Sequence, residues 1–318
     1  MSFQFQRARR ENVGLLIGLA GGTGSGKTYT AMRLASGIAG DKPFAVIDTE
    51  AGRAKHYAEF FNFDHGDLRA PFRPDAYIEA IEAADKAGYP AIVVDSMSHV
   101  WGGDGGVLDW QEQELQRMAG TDYDKREKVK MAAWIKPKMA HKRMVQKLLQ
   151  VRAHVILCFR AEEKIDIVKD ENGKTKIVPK QSLTGYAGWI PVCEKSLPFE
   201  MTVSFMLTAD EPGIPKKIKL QRQHMDIFPL DKPITEESGR LLAKWAAGEN
   251  LARPVNTQTV VKKFAELKID ADQVAKLVGK PLAQWMDADL DKARKIYAEQ
   301  KQKPLPPTNL VDDSGRLQ

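Results

Sequence analysis

The sequence predicts an α/β protein with a mainly parallel central sheet, followed by a small C-terminal helical module. Short apolar runs rich in β-branched residues recur along the chain and alternate with segments of helical period. That alternation is typical of βαβ units, whose parallel strands are buried on both faces. With 318 residues, of which 43% are hydrophobic, the chain is long enough for one large domain and an appendage.

Each predicted element depends on its own pattern. Four apolar runs predict buried parallel strands, at residues 13–20, 43–48, 90–95 and 153–159. Helical periodicity predicts helices between them, at residues 27–38, 74–87 and 137–151. Asn172-Gly173, between two strand-like segments, predicts a β-hairpin. The runs 200–208 and 215–222 predict an added antiparallel edge.

Composition divides the chain into an arm, a core, a module and a tail. Residues 1–12 are predicted to be an N-terminal arm, and residues 13–249 the α/β core. After a linker near 250–256, residues 257–300 carry three helical patterns and predict the helical module. The tail, 301–318, has too little apolar content to order itself, so we predict that it is disordered.

The sequence argues against a membrane-spanning protein and against a secreted one. It holds no run of eighteen apolar residues, and its first residues form no hydrophobic signal core. We therefore expect a cytoplasmic protein without a membrane partner. The two cysteines, Cys158 and Cys193, lie in apolar surroundings and are expected to be reduced core thiols.

The most informative stretch is residues 13–28, where an apolar strand runs into Gly-x-x-x-x-Gly-Lys-Thr. This pattern is the loop that wraps nucleotide phosphates in P-loop NTPases. Its glycines let backbone N–H groups converge on a phosphate, Lys27 adds a positive charge, and the Thr28 hydroxyl is placed to bind Mg²⁺. ATP and Mg²⁺ are therefore the expected cofactors. The predicted nucleotide-binding residues are Gly21, Gly22, Thr23, Gly24, Ser25, Gly26, Lys27, Thr28 and Tyr29.

A P-loop ATPase also needs an acid for Mg²⁺ and a group that orients the attacking water. Asp95 ends a predicted strand, where α/β sheets bind ligands; the alternative is an aspartate that caps the next segment. Because Ser96 follows Asp95, the base must come from elsewhere, and Glu50 beyond the neighbouring strand is the candidate. The alternative for Glu50 is a charged residue in an exposed loop. The predicted catalytic residues are Lys27, Glu50 and Asp95, and the predicted metal ligands are Thr28 and Asp95.

The order LAGGTGSGKT, VIDTEAGRAKHYA, AIVVDSMSHV and HVILCFRAE resembles the ATPase core of the RecA recombinase superfamily over residues 10–247. Within it, the chain resembles the RecA-like ATPases of bacteriophages that promote single-strand annealing. The resemblance implies that Glu50 activates water and that Asp95 holds Mg²⁺. Where the superfamily has a polar sensor pair for the γ-phosphate, this chain has Phe159-Arg160. Arg160 is the candidate sensor, and a salt-bridged strand-end arginine is the alternative.

The resemblance also implies assembly with other copies. RecA-type filaments reach across the subunit interface with basic residues of a late strand, and Lys219 and Arg222 occupy a comparable place. Exposed edge strands also carry Lys for solubility alone. Phe5 and Ala8 fit Phe-x-x-Ala, which resembles the peptide by which eukaryotic relatives dock on the next subunit. We therefore expect a homo-oligomer, as a filament or a ring, with a single-strand binding protein as a further partner.

Positive charge is concentrated in one segment. Residues 125–152 hold ten Lys or Arg and one acid, whereas the whole chain carries +6. Such a field attracts nucleic acid, although a solvated helix face has the same composition. By resemblance, long loops at 97–136 and 160–190 hold DNA, and their aromatic and basic residues suit single strands; in the alternative, their tryptophans anchor the loops to the core. The DNA-binding candidates are Arg126, Lys128, Lys130, Lys136 and Lys138.

Together, the motifs and the resemblance predict a Mg²⁺-dependent ATP hydrolase that binds single-stranded DNA. Its expected role is strand annealing or homologous recombination, in a protein encoded by a bacteriophage. One alternative is a nucleotide-switched adaptor or loader for a replication partner. Another is a small-molecule kinase, although no arginine-bearing lid of that class is evident.

Overall fold

The structure, a computed structural model, describes residues 5, 7, 8, 10, 14–169, 171, 173–249, 257–282, 285 and 287–302. The chain divides into two compact units, Met1–Glu249 and Asn250–Gln318. Most of the predicted arm, the linker, the tail beyond residue 302 and Asn172 of the predicted turn lie outside the described residues. The predicted fold class, an α/β core with a mainly parallel sheet and a C-terminal helical module, is confirmed.

A mostly parallel sheet lies at the centre of the first unit. The strands of this unit are β1 (Leu16–Gly21), β2 (Phe44–Asp48), β3 (Phe63–Asp67), β4 (Ala91–Asp95), β5 (His154–Glu163), β6 (Ile165–Lys169), β7 (Thr175–Pro179), β8 (Trp189–Pro191), β9 (Val203–Leu207) and β10 (Lys216–Lys219). The order across the sheet is β10-β9-β1-β5-β4-β2-β3, and β8 pairs with β5. Since β1, β2, β4 and β5 run parallel, their carboxyl ends meet at one edge of the sheet.

Helices cover this sheet. They are α1 (Lys27–Ala39), α2 (Pro74–Ala87), α3 (His99–Gly102), α4 (Val107–Ala119), α5 (Tyr123–Ala133), α6 (Ile135–Leu148), α7 (Leu197–Glu200) and α8 (Glu236–Ala246). α2 and α6 share an apolar core with the sheet. α1 packs on α8 so closely that a Cβ on Gly37 would lie 1.9 Å from the Glu236 carbonyl oxygen. This contact therefore requires glycine.

The predicted antiparallel edge is wrong for its first strand. β9 pairs in parallel with β1, from Ile17 opposite Val203 to Gly21 opposite Leu207, and of the two predicted strands only the second, β10, is antiparallel. All five residues of β9 are buried. Such continuous burial is typical of a parallel strand that is covered on both faces.

The prediction of a long loop at residues 97–136 is also wrong, because α3, α4 and α5 occupy most of it. α4 buries Val107, Leu115 and Ala119, so its apolar stripe is narrow and its charged residues dominate the sequence pattern. α5 begins at an aspartate cap, since the side chain of Asp122 accepts a hydrogen bond from the Lys125 N–H. That cap is the sequence signal that our prediction missed.

A two-stranded hairpin and a short edge strand complete the first unit. β6 and β7 pair in antiparallel register, with Ile167 opposite Ile177, so the predicted hairpin is present. β3 was not predicted: its residues, Phe63–Asp67, alternate between partly buried and exposed and include two aspartates and a glycine. It lies at the end of the strand order, where such polar residues are common.

The second unit contains α9 (Gln258–Ala265), α10 (Ala271–Val278) and α11 (Asp287–Gln302). Phe264, Val274 and Trp285 are fully buried in its own small core. A capping box at Asp270 starts α10, because the Asp270 and Gln273 side chains each bind the other residue's backbone N–H. Among the described helices, none combines the length and the apolar character that crossing a lipid bilayer requires.

Candidate nucleotide-binding site

The glycine-rich loop lies between the end of β1 and the start of α1. Gly24 and Gly26 have φ angles of 77° and 79°, in the left-handed region that favours glycine. A Cβ on Gly21 would lie 2.4 Å from the Leu207 carbonyl oxygen, so this position also requires glycine. The loop therefore has the backbone that a phosphate-binding turn before a helix needs.

A hydrogen bond holds the Lys27 side chain against the backbone of the loop. The Lys27 ammonium donates to the Gly22 carbonyl oxygen at 2.7 Å, and the Ser25 hydroxyl donates to the same oxygen at 2.8 Å. Burial lowers the pKa of Lys27, while the nearby charges of Asp95 and Glu50 act in the opposite direction. A triphosphate would supply the negative charge that stabilises the ammonium form here.

Asp95 lies beside Thr28. The Thr28 hydroxyl donates to the Asp95 carboxylate at 2.5 Å, although 67 residues separate the two in sequence. Burial raises the pKa of Asp95, and the hydrogen bond from Thr28 partly opposes that shift. A hydroxyl and a carboxylate oxygen in contact are the ligands that Mg²⁺ prefers, with phosphate and water completing the set. The two predicted metal ligands therefore fit the ion.

A tight turn directly after β2 holds Glu50 in position. The buried Asp48 carboxylate accepts hydrogen bonds from the N–H groups of Glu50, at 2.6 Å, and Ala54, at 2.9 Å. Ala51 and Gly52 both have positive φ angles, 59° and 85°. This tight turn orients Glu50, whose side chain is only 11% exposed. Glu50 is therefore not the exposed loop residue of the alternative interpretation.

Two arginines bind the carboxylate of Glu50. Arg160, near the carboxyl end of β5, donates from Nη2 at 2.7 Å, and Arg53 donates from Nη1 at 2.8 Å. Arg160 is thus a salt-bridged arginine, as the alternative interpretation expected, and it also lies in the site. Because Glu50 is engaged by two cations, these contacts must weaken before it can accept a proton from water.

A cavity of about 800 Å³ joins these groups. All nine predicted nucleotide-binding residues line it, together with Glu50, Asp95 and Arg160. Tyr29 contacts the rings of Tyr57 and Phe61, with centroids 5.9 and 5.5 Å away, at one end of the loop. Tyr57 also lines the cavity and was not predicted from the sequence, because a lone tyrosine in a polar segment forms no motif. His99 was missed for the same reason.

The two residues expected to act across a subunit interface do not line this cavity. Lys219, at the end of β10, donates to the Phe199 carbonyl oxygen at 2.7 Å. Arg222 begins a short 3₁₀ helix, Arg222–His224. Within one copy of the chain neither residue contacts the site, so their expected action in trans stays a prediction.

The five DNA-binding candidates have different surroundings. Arg126 pairs with Glu112 at 2.5 Å, Lys130 with Glu127 at 3.2 Å, and Lys136 with Glu114 at 3.3 Å. Lys138 lies 5.5 Å above the ring of Trp134, and Lys128 forms no ion pair within the described part of the chain. Acids of α4 and α5 therefore neutralise much of the predicted charge.

The tryptophans of this region are engaged within the protein. Trp101 stacks on Trp134 with centroids 6.1 Å apart, and the Arg73 guanidinium lies 4.4 Å above the ring of Trp110. These contacts match the interpretation in which tryptophans anchor the segment to the core. Tyr123, by contrast, is 74% exposed at the start of α5.

A glycine-rich loop on a parallel sheet, with a Thr–Asp pair and a strand-end glutamate in one cavity, defines the class of P-loop nucleotide-binding proteins. A family model described as an AAA domain matches residues 14–185, more than half of the chain. The protein belongs to this family of P-loop ATPase domains. A search of curated proteins found no match.

Proposed function

We propose that the protein is a Mg²⁺-dependent, RecA-like ATPase that binds single-stranded DNA and supports strand annealing or homologous recombination. The observation that carries the ATPase proposal is the meeting of Lys27, Thr28, Asp95 and Glu50 in one cavity. The resemblance to phage annealing ATPases supports the DNA substrate. Each group has a distinct role in hydrolysis.

The nucleotide would be held by backbone and charge. Loop N–H groups and Lys27 bind the phosphates, and Thr28 and Asp95 hold the Mg²⁺ that neutralises the charge developing on them. Glu50 orients the attacking water and accepts its proton, once its contacts with Arg53 and Arg160 weaken and Arg160 turns to the anionic phosphate. The rings of Tyr29 and Tyr57 offer an apolar face for the base.

A lysine-lined face of α5 and α6 supports the DNA proposal. Trp134, between the two helices, has helical dihedral angles, so the residues on both sides share a helical period. At spacings of three or four, one face displays three lysines and three apolar residues, all of them exposed: Lys128, Met131, Ile135, Lys138, Met139 and Lys142. This surface offers cations for phosphates and apolar contact for unpaired bases.

We expect a triple charge reversal on this face, Lys128→Glu, Lys138→Glu and Lys142→Glu, to abolish salt-sensitive binding of a labelled single-stranded oligonucleotide. Three phosphate contacts, each with a slope of about 0.7, make wild-type affinity fall about 20-fold between roughly 50 and 200 mM salt. Fluorescence anisotropy measures both effects. The matched control reverses three exposed lysines elsewhere, Lys42, Lys86 and Lys232.

The control has the same net charge as the triple variant. Equal losses of affinity in the two would therefore show a general charge effect and refute DNA binding by this face. The same oligonucleotide should accelerate phosphate release by the wild type. No acceleration would instead favour the nucleotide-switched adaptor. Binding that is insensitive to salt would contradict the electrostatic basis of the proposal.

Assembly is proposed to involve the sheet edge at β3. A groove of about 360 Å³ lies there between the sheet and α2, walled by Leu68, Ala80, Ala83 and Tyr89 among others. The Phe5 side chain, of the Phe-x-x-Ala segment, is 94% exposed. We propose that Phe5 of one copy enters the groove of the next, where a strand edge is available for pairing.

Phe5→Ala is expected to shift the protein toward monomers in light scattering, because the ring would supply most of the apolar area buried at this contact. Ala83→Glu, on the exposed wall of the groove, should have the same effect. Ala87→Glu, on the same helix but outside the groove, is the control and should leave the assembly unchanged. An unchanged mass for both Phe5→Ala and Ala83→Glu would refute this contact.

A further inference from the structure

His99 is connected to the strand end that carries Glu50. Its Nδ1 lies 2.7 Å from the Thr49 hydroxyl, and Thr49 is the residue directly before Glu50. Thr49 also joins two strand ends, because its N–H donates to the Asp95 carbonyl oxygen at 2.8 Å and its hydroxyl accepts from the Ser96 N–H at 2.8 Å. The position of Thr49 therefore affects both acids of the site.

The hydrogen-bond distances define the form of the His99 ring. The Thr49 hydroxyl has one proton, and of the acceptors near it His99 Nδ1 lies at 2.7 Å and the Ser96 carbonyl oxygen at 3.2 Å. The Ser96 carbonyl oxygen is thus the more distant acceptor, and the Tyr77 hydroxyl lies at the same 3.2 Å from it. The proton is therefore assigned to the bond with Nδ1, which leaves the ring proton on Nε2.

The surroundings of the ring favour this neutral form. His99 stacks on Phe72, with centroids 5.0 Å apart, and it lines the nucleotide cavity. The charged groups that face it are Arg160 on β5 and Glu50 after β2. Burial is the largest cause that lowers the pKa of His99, and the charge of Arg160 lowers it further, whereas Glu50 and a hydrogen bond to the Thr49 backbone act in the opposite direction. Burial also raises the pKa of Tyr77, from α2, so its hydroxyl stays a donor.

We infer that His99 is a positioning residue for hydrolysis, which acts by accepting the Thr49 proton at Nδ1 and so fixing the β2 end that presents Glu50. The inference rests on the proposed ATPase function. In the protonated ring both nitrogens donate, so Thr49 loses its acceptor and must turn its proton to Ser96. The protonated ring also carries a positive charge, which faces the positive charge of Arg160. Only the neutral ring supports the arrangement described.

The test compares two replacements of His99. His99→Phe keeps a ring against Phe72 but removes the acceptor, and we expect kcat to fall about 10- to 100-fold, as for other groups that orient a reacting residue, with KM for ATP little changed. His99→Asn places an amide oxygen near the position of Nδ1 and should recover most of the activity at pH 7. Thermal unfolding followed by circular dichroism checks that both variants fold.

The pH profile supplies a readout that a merely structural role would not change. Because the folded-state pKa of His99 is lowered, wild-type kcat should be constant near pH 7 and fall as the pH drops below the ordinary histidine range. His99→Asn should lack that part of the decline. An identical acidic decline in wild type and His99→Asn would overturn the inference.

Thr49→Val provides an independent check. It removes the hydroxyl that His99 binds, so the double variant with His99→Phe should be no slower than the slower single variant. Multiplicative losses, or equal losses in His99→Phe and His99→Asn, would overturn the inference. If the wild type itself released no phosphate, the proposed function would fail first, whereas a normal rate in His99→Phe would refute only the role of His99.

Discussion

Lys27→Ala should abolish ATP hydrolysis, with phosphate release reduced by at least about 10²- to 10³-fold, the usual loss when one group that stabilises the transition state is removed. Lys27 is the cation of the loop, and its ammonium already lies against the Gly22 carbonyl oxygen in the cavity that Asp95 and Glu50 share. Without it, the phosphates keep the N–H groups of the loop but lose its positively charged side chain. Steady-state phosphate release measures the effect.

The control for this variant is Lys42→Ala, at an exposed lysine before β2 that does not line the cavity. It should turn over at the wild-type rate. The loop should keep its backbone in Lys27→Ala, since the positive φ angles belong to Gly24 and Gly26 and the Ser25 hydroxyl still binds the Gly22 carbonyl oxygen. Normal folding is therefore expected in both variants. Turnover retained in Lys27→Ala would refute the site.

Glu50→Gln should separate binding from turnover. The amide keeps the size of the side chain and loses the basicity, so we expect phosphate release to fall about 10²- to 10⁴-fold, the range for removal of a general base. Nucleotide affinity should be retained, because the loop, Lys27 and the Thr28–Asp95 pair are untouched. Binding of a fluorescent ATP analogue and phosphate release are the two measurements.

Glu59→Gln, at an exposed glutamate shortly after Glu50, controls for the charge change and should behave as the wild type. Loss of both affinity and turnover in Glu50→Gln would point to disturbed folding, because Arg53 and Arg160 would lose their shared partner. Circular dichroism distinguishes that outcome. Turnover at the wild-type rate would show that another group activates water.

The sequence predicted the core of this site because its signals are local. Apolar runs that end in Gly21, Asp48 and Asp95 mark strand ends, and parallel strands bring their carboxyl ends to one edge. The loop motif adds the helix that starts at Lys27. These patterns require no knowledge of tertiary contacts, and they were enough to predict which residues meet in the cavity.

Contacts between distant segments could not be predicted in the same way. The ion pair of Arg160 with Glu50 and the bond of His99 to Thr49 join residues 110 and 50 positions apart. Neither pair has a characteristic spacing. The ion pairs of Arg126 and Lys136 with α4 were missed for a related reason, since the helix supplying Glu112 and Glu114 was itself interpreted as a loop.

Local propensity also misled where tertiary packing decided the structure. β9 has the apolar pattern of any buried strand, and its pairing with β1 is set by the sheet order rather than by its own residues. β3 is polar and short and becomes a strand only because β2 offers it an edge. Such elements depend on neighbours that a single sequence window does not contain.

Calorimetric titration of the wild-type protein with ATP, in the presence and in the absence of Mg²⁺, tests most directly whether this cavity is a magnesium–nucleotide site. We predict saturable heat with one site per chain, an affinity that falls when Mg²⁺ is withdrawn, and a much weaker signal for Lys27→Ala. The absence of any heat with ATP and Mg²⁺, from protein shown to be folded, would contradict the account.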